Sequence, residues 1–211
     1  QKLAYNVEFK NKMLTKVYDA EPVNYDEILA DYIKYAEALK PYVTDTNNAV
    51  LKAIKEDKKV LFEGAQATML DLDHGTYPFV TSSHPIAGGA STGARVGPNY
   101  LKNIFFVVKA YATRVGAGPF PTEQLNEIGE DLRTLGHEFG TVTGRPRRTG
   151  WLDLMVVKYA AGLSSLDYLA ITRLDILDAF KELKICVGYK LNGKNVEGFP
   201  ASLTNLEACE P

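Results

Sequence analysis

The chain has 211 residues, 45% of them hydrophobic and 24% charged, with a formal net charge of −2. This length is enough to bury a substantial core, as one domain or two small ones. The sequence contains no run of about 18 apolar residues that would cross a membrane, and its near-neutral charge argues against a general nucleic-acid coat protein, which would carry a basic footprint.

The N-terminal residues and the cysteines indicate the compartment. "QKLAYNVEFKNKM" contains no apolar signal-peptide core. The sequence starts at Gln1 instead of Met, which suggests a piece of a longer chain. Cys186 and Cys209 are too few and too far apart to indicate a disulfide framework or a zinc site. We therefore expect a reducing compartment.

Helical and extended patterns alternate in the first half of the chain. In "NYDEILADYIKYAEALKPYV", which starts at Asn24, apolar residues recur at helical spacing, acids occupy the first turn, and Pro41 fits the end. A second helix is predicted from Asn47 to Lys55. "KKVLFEGA" predicts a short buried strand that stops at Gly64, and "YPFVT", residues 77–81, predicts another.

The alternation continues to the C-terminus. Residues 98–109 predict a helix, and "AYATRVGAG" predicts a strand after it. Thr122 opens a predicted helix that runs to about Leu135. After an arginine-rich loop, Leu152–Ala161 predicts a helix, "DYLAITRLD" a strand with its exit turn, and "LKICVGYKLNGKNVEG" a hairpin that turns at Asn192-Gly193.

This order of elements predicts an α/β fold with a mostly parallel central sheet flanked by helices and a β-hairpin toward the C-terminus. In such sheets, ligands bind where strand ends give way to loops. Three loops meet that description: those after Glu63, after Val115 and around Arg145.

The arginine-rich loop, "EFGTVTGRPRRTGWLDL", has the composition of an anion site. It combines guanidiniums, glycines, hydroxyls and one rigid proline: Arg145, Arg147, Arg148, Gly144, Gly150, Thr141, Thr143 and Pro146. Arginine pairs bidentately with carboxylate or phosphate, glycine lets the backbone approach an anion closely, and proline limits the freedom lost on binding. We interpret the loop as a preorganised anion clamp. A solvated basic turn or a surface nucleic-acid contact is the alternative.

"TRLD" closes the predicted strand at Asp175. A carboxylate there can accept two hydrogen bonds from guanine, at N1–H and the 2-amino group, and the planar Arg173 can lie against the purine face. The alternative is structural, with Asp175 capping the turn that follows.

"EGAQATMLDLDHGTYPFVTSSHPIAGG" is the densest polar stretch. The amide of Gln66 can read a carbonyl and a ring N–H, and the hydroxyls of Thr81–Ser83 suit phosphate oxygens. Asp71, Asp73 and His74 raise the possibility of a metal site, although one histidine beside two acids is more often a hydrogen-bonded structural group. "GGASTGARVG" lacks the lysine of a phosphate loop, and no nucleophile, general acid or general base stands out.

Four long motifs occur in a fixed order: "VLFEGAQATMLDLDHGTYPFVTSS", "KAYATRVGAGPFPTE", "GTVTGRPRRTGWLD" and "TRLDILD". With them the chain resembles the adenylosuccinate synthetase family over essentially its whole length. The resemblance implies a ligase that joins IMP and L-aspartate with GTP and Mg²⁺, giving adenylosuccinate, GDP and phosphate. GTP phosphorylates the 6-oxygen of IMP, and the aspartate amine then displaces the phosphate.

The resemblance also implies roles for individual residues. Gln66 would contact the IMP base near the reacting oxygen, Thr81 would bind the IMP phosphate, and Val115 would line the aspartate pocket. The aspartate-binding loop would consist of Thr141, Val142, Thr143, Gly144, Arg145, Pro146 and Arg147. Arg145 would also reach the IMP ribose, and Arg147 would pair with aspartate and a GTP phosphate.

Guanine recognition would fall to a KLD-type motif, here Arg173, Leu174 and Asp175. The lysine usual in that motif is replaced by arginine, and Ala67 stands where the family usually has glycine. His84 and Arg95 are further departures, for which the sequence offers no account.

The family's glycine-rich phosphate loop, catalytic aspartate and catalytic histidine have no counterpart in these residues. We therefore expect residues 1–211 to be the central part of a single domain, inactive in isolation, with Mg²⁺ ligands in an N-terminal part. The resemblance further implies a cytoplasmic homodimer without nucleic-acid or membrane partners. The alternative is a nucleotide-binding module that retains the IMP and guanine nucleotide sites without catalysis.

Overall fold

A computed structural model describes all residues, 1–211. They form two compact units, residues 1–49 and residues 50–211. None of the helices combines the length and the apolar character needed to cross a membrane.

The first unit contains helices α1 (Lys2–Val17) and α2 (Tyr25–Leu39). The side chain of Asn24 accepts hydrogen bonds from the backbone N–H groups of Asp26 and Glu27, at 2.8 and 3.3 Å, so the predicted start of α2 is confirmed. Asn11 joins α1 to the segment before α2, because its amide donates to the Val23 carbonyl at 2.9 Å and accepts from the Val23 N–H at 2.8 Å. A 3₁₀ turn over Lys40–Tyr42 follows α2.

Helix α3 (Thr46–Lys55) confirms the second predicted helix. The second unit then contains four helices and seven strands: α4 (Ala87–Ala94), β1 (Phe105–Lys109), β2 (Tyr111–Arg114), α5 (Glu127–Leu135), β3 (Arg148–Asp153), α6 (Leu154–Ser164), β4 (Tyr168–Thr172), β5 (Ile185–Cys186), β6 (Lys190–Leu191), β7 (Lys194–Asn195) and α7 (Leu203–Glu207).

The strands form three small sheets. Strands β1 and β4 are parallel, and their register pairs Phe105 with Tyr168 and Lys109 with Thr172. Strand β3 lies between β2, to which it is antiparallel, and β5, to which it is parallel. Strands β6 and β7 form the predicted hairpin, with positive φ at Asn192 and Gly193. The α/β fold with parallel sheet and C-terminal hairpin is confirmed.

Two predicted strands are wrong. Residues 58–65 pair with no strand, because an apolar run forms a strand only where a neighbouring strand takes up its N–H and C=O groups. Residues 77–81 form turns: Pro78 has no N–H to donate, Phe79 donates to the Thr76 carbonyl at 2.8 Å, and Thr81 donates to the Leu70 carbonyl at 2.8 Å.

The helix predicted for residues 98–109 is also wrong. A 3₁₀ turn over Pro98–Tyr100 is followed by β1, whose aromatic and β-branched residues suit a strand once β4 supplies a partner. The helix predicted from Thr122 instead begins at Glu127, where the Asn126 side chain caps it by accepting from the Gly129 N–H at 3.3 Å.

The sequence predicts a loop and the start of a helix where β3 lies, and this prediction is wrong. Strand β3 contacts residues 122–124 through backbone hydrogen bonds. The Gln124 N–H, for example, donates to the Thr149 carbonyl at 2.9 Å. A Cβ on Gly150 would lie 2.7 Å from the Thr122 carbonyl carbon, so glycine here admits the protein's own backbone and not an anion. Asp153 ends β3 and caps α6, which therefore starts at residue 154 and not 152.

Two buried clusters stabilise the second unit. The first joins β2, β3, α5 and a 3₁₀ helix over Leu174–Ala179, and consists of Ala110, Tyr111, Leu132, Trp151 and Leu177. The second consists of Met155, Cys186, Tyr189, Leu206 and Cys209. Both cysteines are free, and burial raises the pKa of Cys186 to about 11. The hydroxyl of Tyr189, a member of this second cluster, donates to the buried Asp153 carboxylate at 2.5 Å.

Candidate active site

A cavity of about 460 Å³ opens where the parallel strands β1 and β4 end. Lys109 is the last residue of β1, Thr172 is the last residue of β4, and Arg173 follows directly. The carboxyl ends of parallel strands are where α/β folds bind ligands. The lining comprises Val107, Lys109, Gly136, His137, Glu138, Phe139, Thr141, Arg147, Thr172 and Arg173.

Glu138 is the buried carboxylate of this cavity. Its side chain is only 2% exposed, and it accepts hydrogen bonds from Lys109 Nζ at 2.8 and 2.9 Å and from Arg147 Nη1 at 2.7 Å. The Tyr111 hydroxyl donates to the same carboxylate at 2.6 Å. Arg173 Nη2 lies 3.9 Å from it. Two residues predicted from sequence, Arg147 and Arg173, thus converge on a carboxylate that the sequence did not single out.

The cavity is cationic. Three positively charged side chains, Lys109, Arg147 and Arg173, surround one carboxylate, which leaves two uncompensated positive charges. Burial by itself would raise the pKa of Glu138, but the hydrogen bonds from Lys109, Tyr111 and Arg147 outweigh it and lower the pKa. Burial lowers the pKa of Lys109, and Glu138 partly offsets that effect. An anionic ligand matches this site electrostatically.

The loop before Arg147 is closed by backbone hydrogen bonds. The Arg147 N–H donates to the Glu138 carbonyl at 2.9 Å, and the Gly140 N–H donates to the Arg145 carbonyl at 2.9 Å. Gly144, with a φ of +64°, donates to the Gly140 carbonyl at 2.8 Å and makes the tight turn that glycine permits. The predicted aspartate-binding residues Thr141, Val142, Thr143, Gly144, Arg145 and Pro146 are exposed on this loop.

Arg148 has a different environment from its neighbour. It forms an ion pair with Glu123 and donates to the carbonyls of Gly116 and Gly118 at 3.1 and 2.8 Å. Its guanidinium lies 5.5 Å from the centroid of the Phe120 ring. Arg148 therefore fixes the loop that follows β2. Val115, predicted to line the aspartate pocket, is exposed in that loop.

The residues predicted to read guanine follow β4. Arg173 has a φ of +64°, donates to the Gly136 carbonyl, and contacts the Tyr111 hydroxyl through Nε at 3.4 Å. Leu174 and Asp175 are exposed at the start of the 3₁₀ helix. No side chain caps this 3₁₀ helix through its N-cap residue Arg173, and Asp175 is an acidic residue in its first turn.

Gln66 and Thr81, both predicted to bind IMP, lie together. The Gln66 amide oxygen accepts hydrogen bonds from the hydroxyls of Ser83 at 2.8 Å and Thr81 at 3.3 Å. The Thr81 hydroxyl also lies 2.9 Å from the Leu70 carbonyl. Turns therefore bring together side chains that are 15 residues apart in sequence.

The acidic turn beside this cluster is structural. Oδ1 of the fully buried Asp71 accepts from the N–H groups of Asp73 and His74, at 2.9 and 3.0 Å, and lies 3.3 Å from His84 Nδ1. The ring beside Asp71 belongs to His84 and not to His74. No group of three His, Cys, Asp or Glu side chains in the chain is arranged to hold a metal ion. Asp71 is thus hydrogen-bonded within its own turn.

Sequence reasoning missed Lys109, Tyr111 and Glu138. Lys109 and Glu138 are 29 residues apart and meet only through the fold. The signal that could have found Lys109 is a single cation at the end of the run "FFVVK", had that run been recognised as a strand. Glu138 has no comparable pattern around it.

Known proteins of one family match this chain over its whole length. The family model for adenylosuccinate synthetase matches residues 1–211. Adenylosuccinate synthetase of Brachyspira hyodysenteriae is 61% identical over all 211 residues, which cover 49% of that protein. The Limosilactobacillus reuteri protein of the same name is 53% identical over all 211 residues and is also covered to 49%. The chain spans about half the length of the curated relatives it matches.

Solved structures show the same similarity. The structure of fully ligated adenylosuccinate synthetase from Plasmodium falciparum superposes with a TM-score of 0.88 at 36% identity, over 99% of this chain and 51% of that one. Succinoaminodeoxyadenylate synthetase of cyanophage S-2L, at 23% identity and a TM-score of 0.51, shares the fold over 78% of this chain and 53% of its own. Because the family model covers every residue, the chain belongs to the adenylosuccinate synthetase family.

Proposed function

We propose that the protein carrying this chain is a GTP-dependent ligase of purine biosynthesis. It joins IMP and L-aspartate to give adenylosuccinate, with release of GDP and phosphate. Membership in the family supports the reaction. The observation that carries the proposal at the level of residues is the convergence of Arg147 and Arg173 on one cationic cavity.

The loop Thr141–Arg147 is proposed to bind aspartate. A guanidinium presents a planar set of donors that matches a carboxylate, and it keeps its charge at any working pH. Arg147 is assigned to the aspartate carboxylate and to a phosphate of GTP, and Arg145 to aspartate and the IMP ribose. Both would neutralise charge that accumulates as the phosphoryl group transfers. Val115 is assigned to the same pocket.

The segment Arg173–Asp175 is proposed to bind guanine. The exposed carboxylate of Asp175 can accept hydrogen bonds from N1–H and the 2-amino group of guanine. Adenine offers neither donor at these positions. Arg173, held beside Tyr111 and Gly136, would lie along the purine, with Leu174 between the two.

Gln66 and Thr81 are proposed to bind IMP. Because the Gln66 amide oxygen already accepts two hydroxyls, its NH₂ group is left to donate to an oxygen such as the 6-oxygen of IMP. Thr81 would exchange one of its present contacts for the IMP phosphate.

Mg²⁺ is proposed to accompany GTP, where it would neutralise phosphate charge. The side chains described here offer no fitting ligand set, so none is assigned to the ion. We propose that residues 1–211 form the central portion of the enzyme. The ligands of Mg²⁺ and the catalytic aspartate and histidine would then belong to other parts of the enzyme. A cytoplasmic homodimer is part of the same proposal.

The test uses the complete gene product with IMP, L-aspartate, GTP and Mg²⁺. Equal amounts of adenylosuccinate, GDP and phosphate are expected by chromatography. Binding of IMP and GDP without any product would favour the nucleotide-binding module instead. The 211-residue chain alone is expected to bind ligands by titration calorimetry without turnover. Robust turnover by that chain would contradict the assignment of the catalytic groups to other parts.

A further inference from the structure

The proposed function assigns no ligand to Glu138, although this residue lines the cavity. An ionised carboxylate faces a large desolvation cost unless charged or hydrogen-bonded partners compensate it. Its side chain is 2% exposed, whereas those of Lys109, Arg147 and Arg173 are 31%, 30% and 38% exposed. The carboxylate is therefore the interior anchor, and the cations extend from it toward the solvent-accessible cavity.

The anchor is held by regular structure. The Glu138 N–H donates to the Arg133 carbonyl in the last turn of α5 at 2.8 Å, and the Glu138 carbonyl accepts from the Arg147 N–H at 2.9 Å. The Tyr111 hydroxyl, on β2 and almost fully buried, donates to the carboxylate at 2.6 Å. The two backbone contacts fix the residue, and the tyrosine hydroxyl fixes its carboxylate.

The two arginines depend on this anchor in different ways. Arg147 donates to it directly at 2.7 Å. Arg173 Nη2 is 3.9 Å away and donates to the Gly136 carbonyl, while Arg173 Nε shares the Tyr111 hydroxyl with Glu138 through a 3.4 Å contact. Without the carboxylate, three like charges would face one another across the cavity, and repulsion would drive their flexible side chains apart.

We infer that Glu138 is a positioning residue that couples the aspartate site to the guanine nucleotide site, by holding Arg147 and Arg173 to one buried carboxylate. The inference rests on the proposed function, which assigns Arg147 to aspartate and phosphate and Arg173 to guanine. It adds that the two sites share one support, so a single change at Glu138 impairs both.

The test is Glu138→Gln in the complete gene product, with KM measured for each substrate. KM for aspartate is expected to rise by about tenfold or more, the factor for losing the charge-assisted hydrogen bond from Arg147. KM for GTP should rise as well, because Arg147 and Arg173 both lose the carboxylate that orients them. KM for IMP should change much less, because Gln66 and Thr81 have their own contacts. A purely structural defect would lower kcat through the active fraction and leave all three KM values unchanged.

If Glu138 served only to reduce the positive charge of the cavity, Glu138→Gln should have the opposite effect. Glu138→Gln adds one unit of positive charge to the cavity, so if Glu138 only moderates charge, both anionic substrates should bind more tightly. Unchanged or lower KM values for aspartate and GTP overturn the inference. Asp153→Asn is the matched control, because it removes another buried carboxylate that accepts from a tyrosine. It should lower stability and leave the KM values as they are.

Tyr111→Phe covers the case in which Glu138→Gln does not fold. It removes only a hydroxyl that contacts both Glu138 and Arg173, and it should raise the same two KM values by a smaller factor. Unaltered values in a folded Tyr111→Phe protein also overturn the inference. If the wild-type gene product forms no adenylosuccinate, the proposed function fails instead, and the two failures are thereby distinguished.

Discussion

Arg147 and Glu138 are joined twice: the arginine guanidinium donates to the carboxylate at 2.7 Å, and the arginine backbone N–H donates to the glutamate carbonyl at 2.9 Å. The first contact orients a cation in the cavity, and the second closes the loop of residues 139–146. Neighbouring Arg148 instead pairs with Glu123 on the other side of β3. Adjacent arginines in one motif therefore have separate roles.

These roles predict opposite phenotypes for two alanine variants. Arg147→Ala should weaken aspartate binding by about 10- to 100-fold, the loss expected for a charge-assisted hydrogen bond. It should cost little stability, because Lys109 and Tyr111 still donate to Glu138.

Arg148→Ala should lower the free energy of unfolding by about 2 kcal/mol or more, because Glu123 loses its partner in a largely buried pair. Titration calorimetry and urea denaturation on both variants check the contrast. A binding defect in Arg148→Ala as large as that in Arg147→Ala would contradict it.

Asp175→Asn should weaken GDP binding by about tenfold or more, since an amide oxygen accepts the two guanine donors less strongly than a carboxylate. Binding of IMP should not change. Asp178→Asn is the control, because Asp178 is exposed on the same 3₁₀ helix. Calorimetric titration with GDP and with IMP measures both, and equal losses for the two ligands would refute base recognition by Asp175.

Gly150→Ala should be far more destabilising than Gly144→Ala. A Cβ at position 150 would collide with the backbone of Thr122 and Glu123, which cannot move without separating from β3, so we expect a loss of about 3 kcal/mol or more. At Gly144 a Cβ would meet nothing, and the cost is about 1 kcal/mol for a positive φ. Urea denaturation measures the difference, and similar losses would disprove it.

Acidic pH should lower the free energy of unfolding of the native protein, because Glu138 becomes protonated. The pKa of Glu138 is lowered in the folded state from its ordinary 4.5, so its stabilisation is complete above that pH and is lost as pH falls through the folded-state pKa. The stability advantage of the native protein over Glu138→Gln should therefore shrink as the pH falls below about 4.5.

Asp153→Asn should show the reverse trend. Burial raises the pKa of Asp153 above its ordinary 3.8, against the hydrogen bond from Tyr189. The stabilisation that protonated Asp153 contributes is complete at a pH below 3.8 and is lost as the pH rises through the folded-state pKa of Asp153. Urea denaturation across the pH range measures both differences, and parallel trends for the two variants would contradict these assignments.

Much of the candidate site was predictable from local sequence. The residue types and spacing of "GTVTGRPRR" and "TRLD" by themselves indicate groups that can bind anions and a base. This is because a guanidinium or a carboxylate has the same donors and acceptors in any fold. The start of α2 at Asn24 and the turn at Asn192-Gly193 depend only on neighbouring residues, and both predictions are confirmed.

Tertiary structure decided the rest. Strand β3 and the non-strand at residues 58–65 were mispredicted because a strand needs a partner, and pairing is a property of the whole chain. The burial of Glu138, the presence of Lys109 beside it and the separation of Arg147 from Arg148 arise only when β1, β2, β3 and α5 pack together. Sequence determined which groups can bind anions and bases, whereas packing determined which of them share a cavity, because distance and burial set the strength of an electrostatic contact.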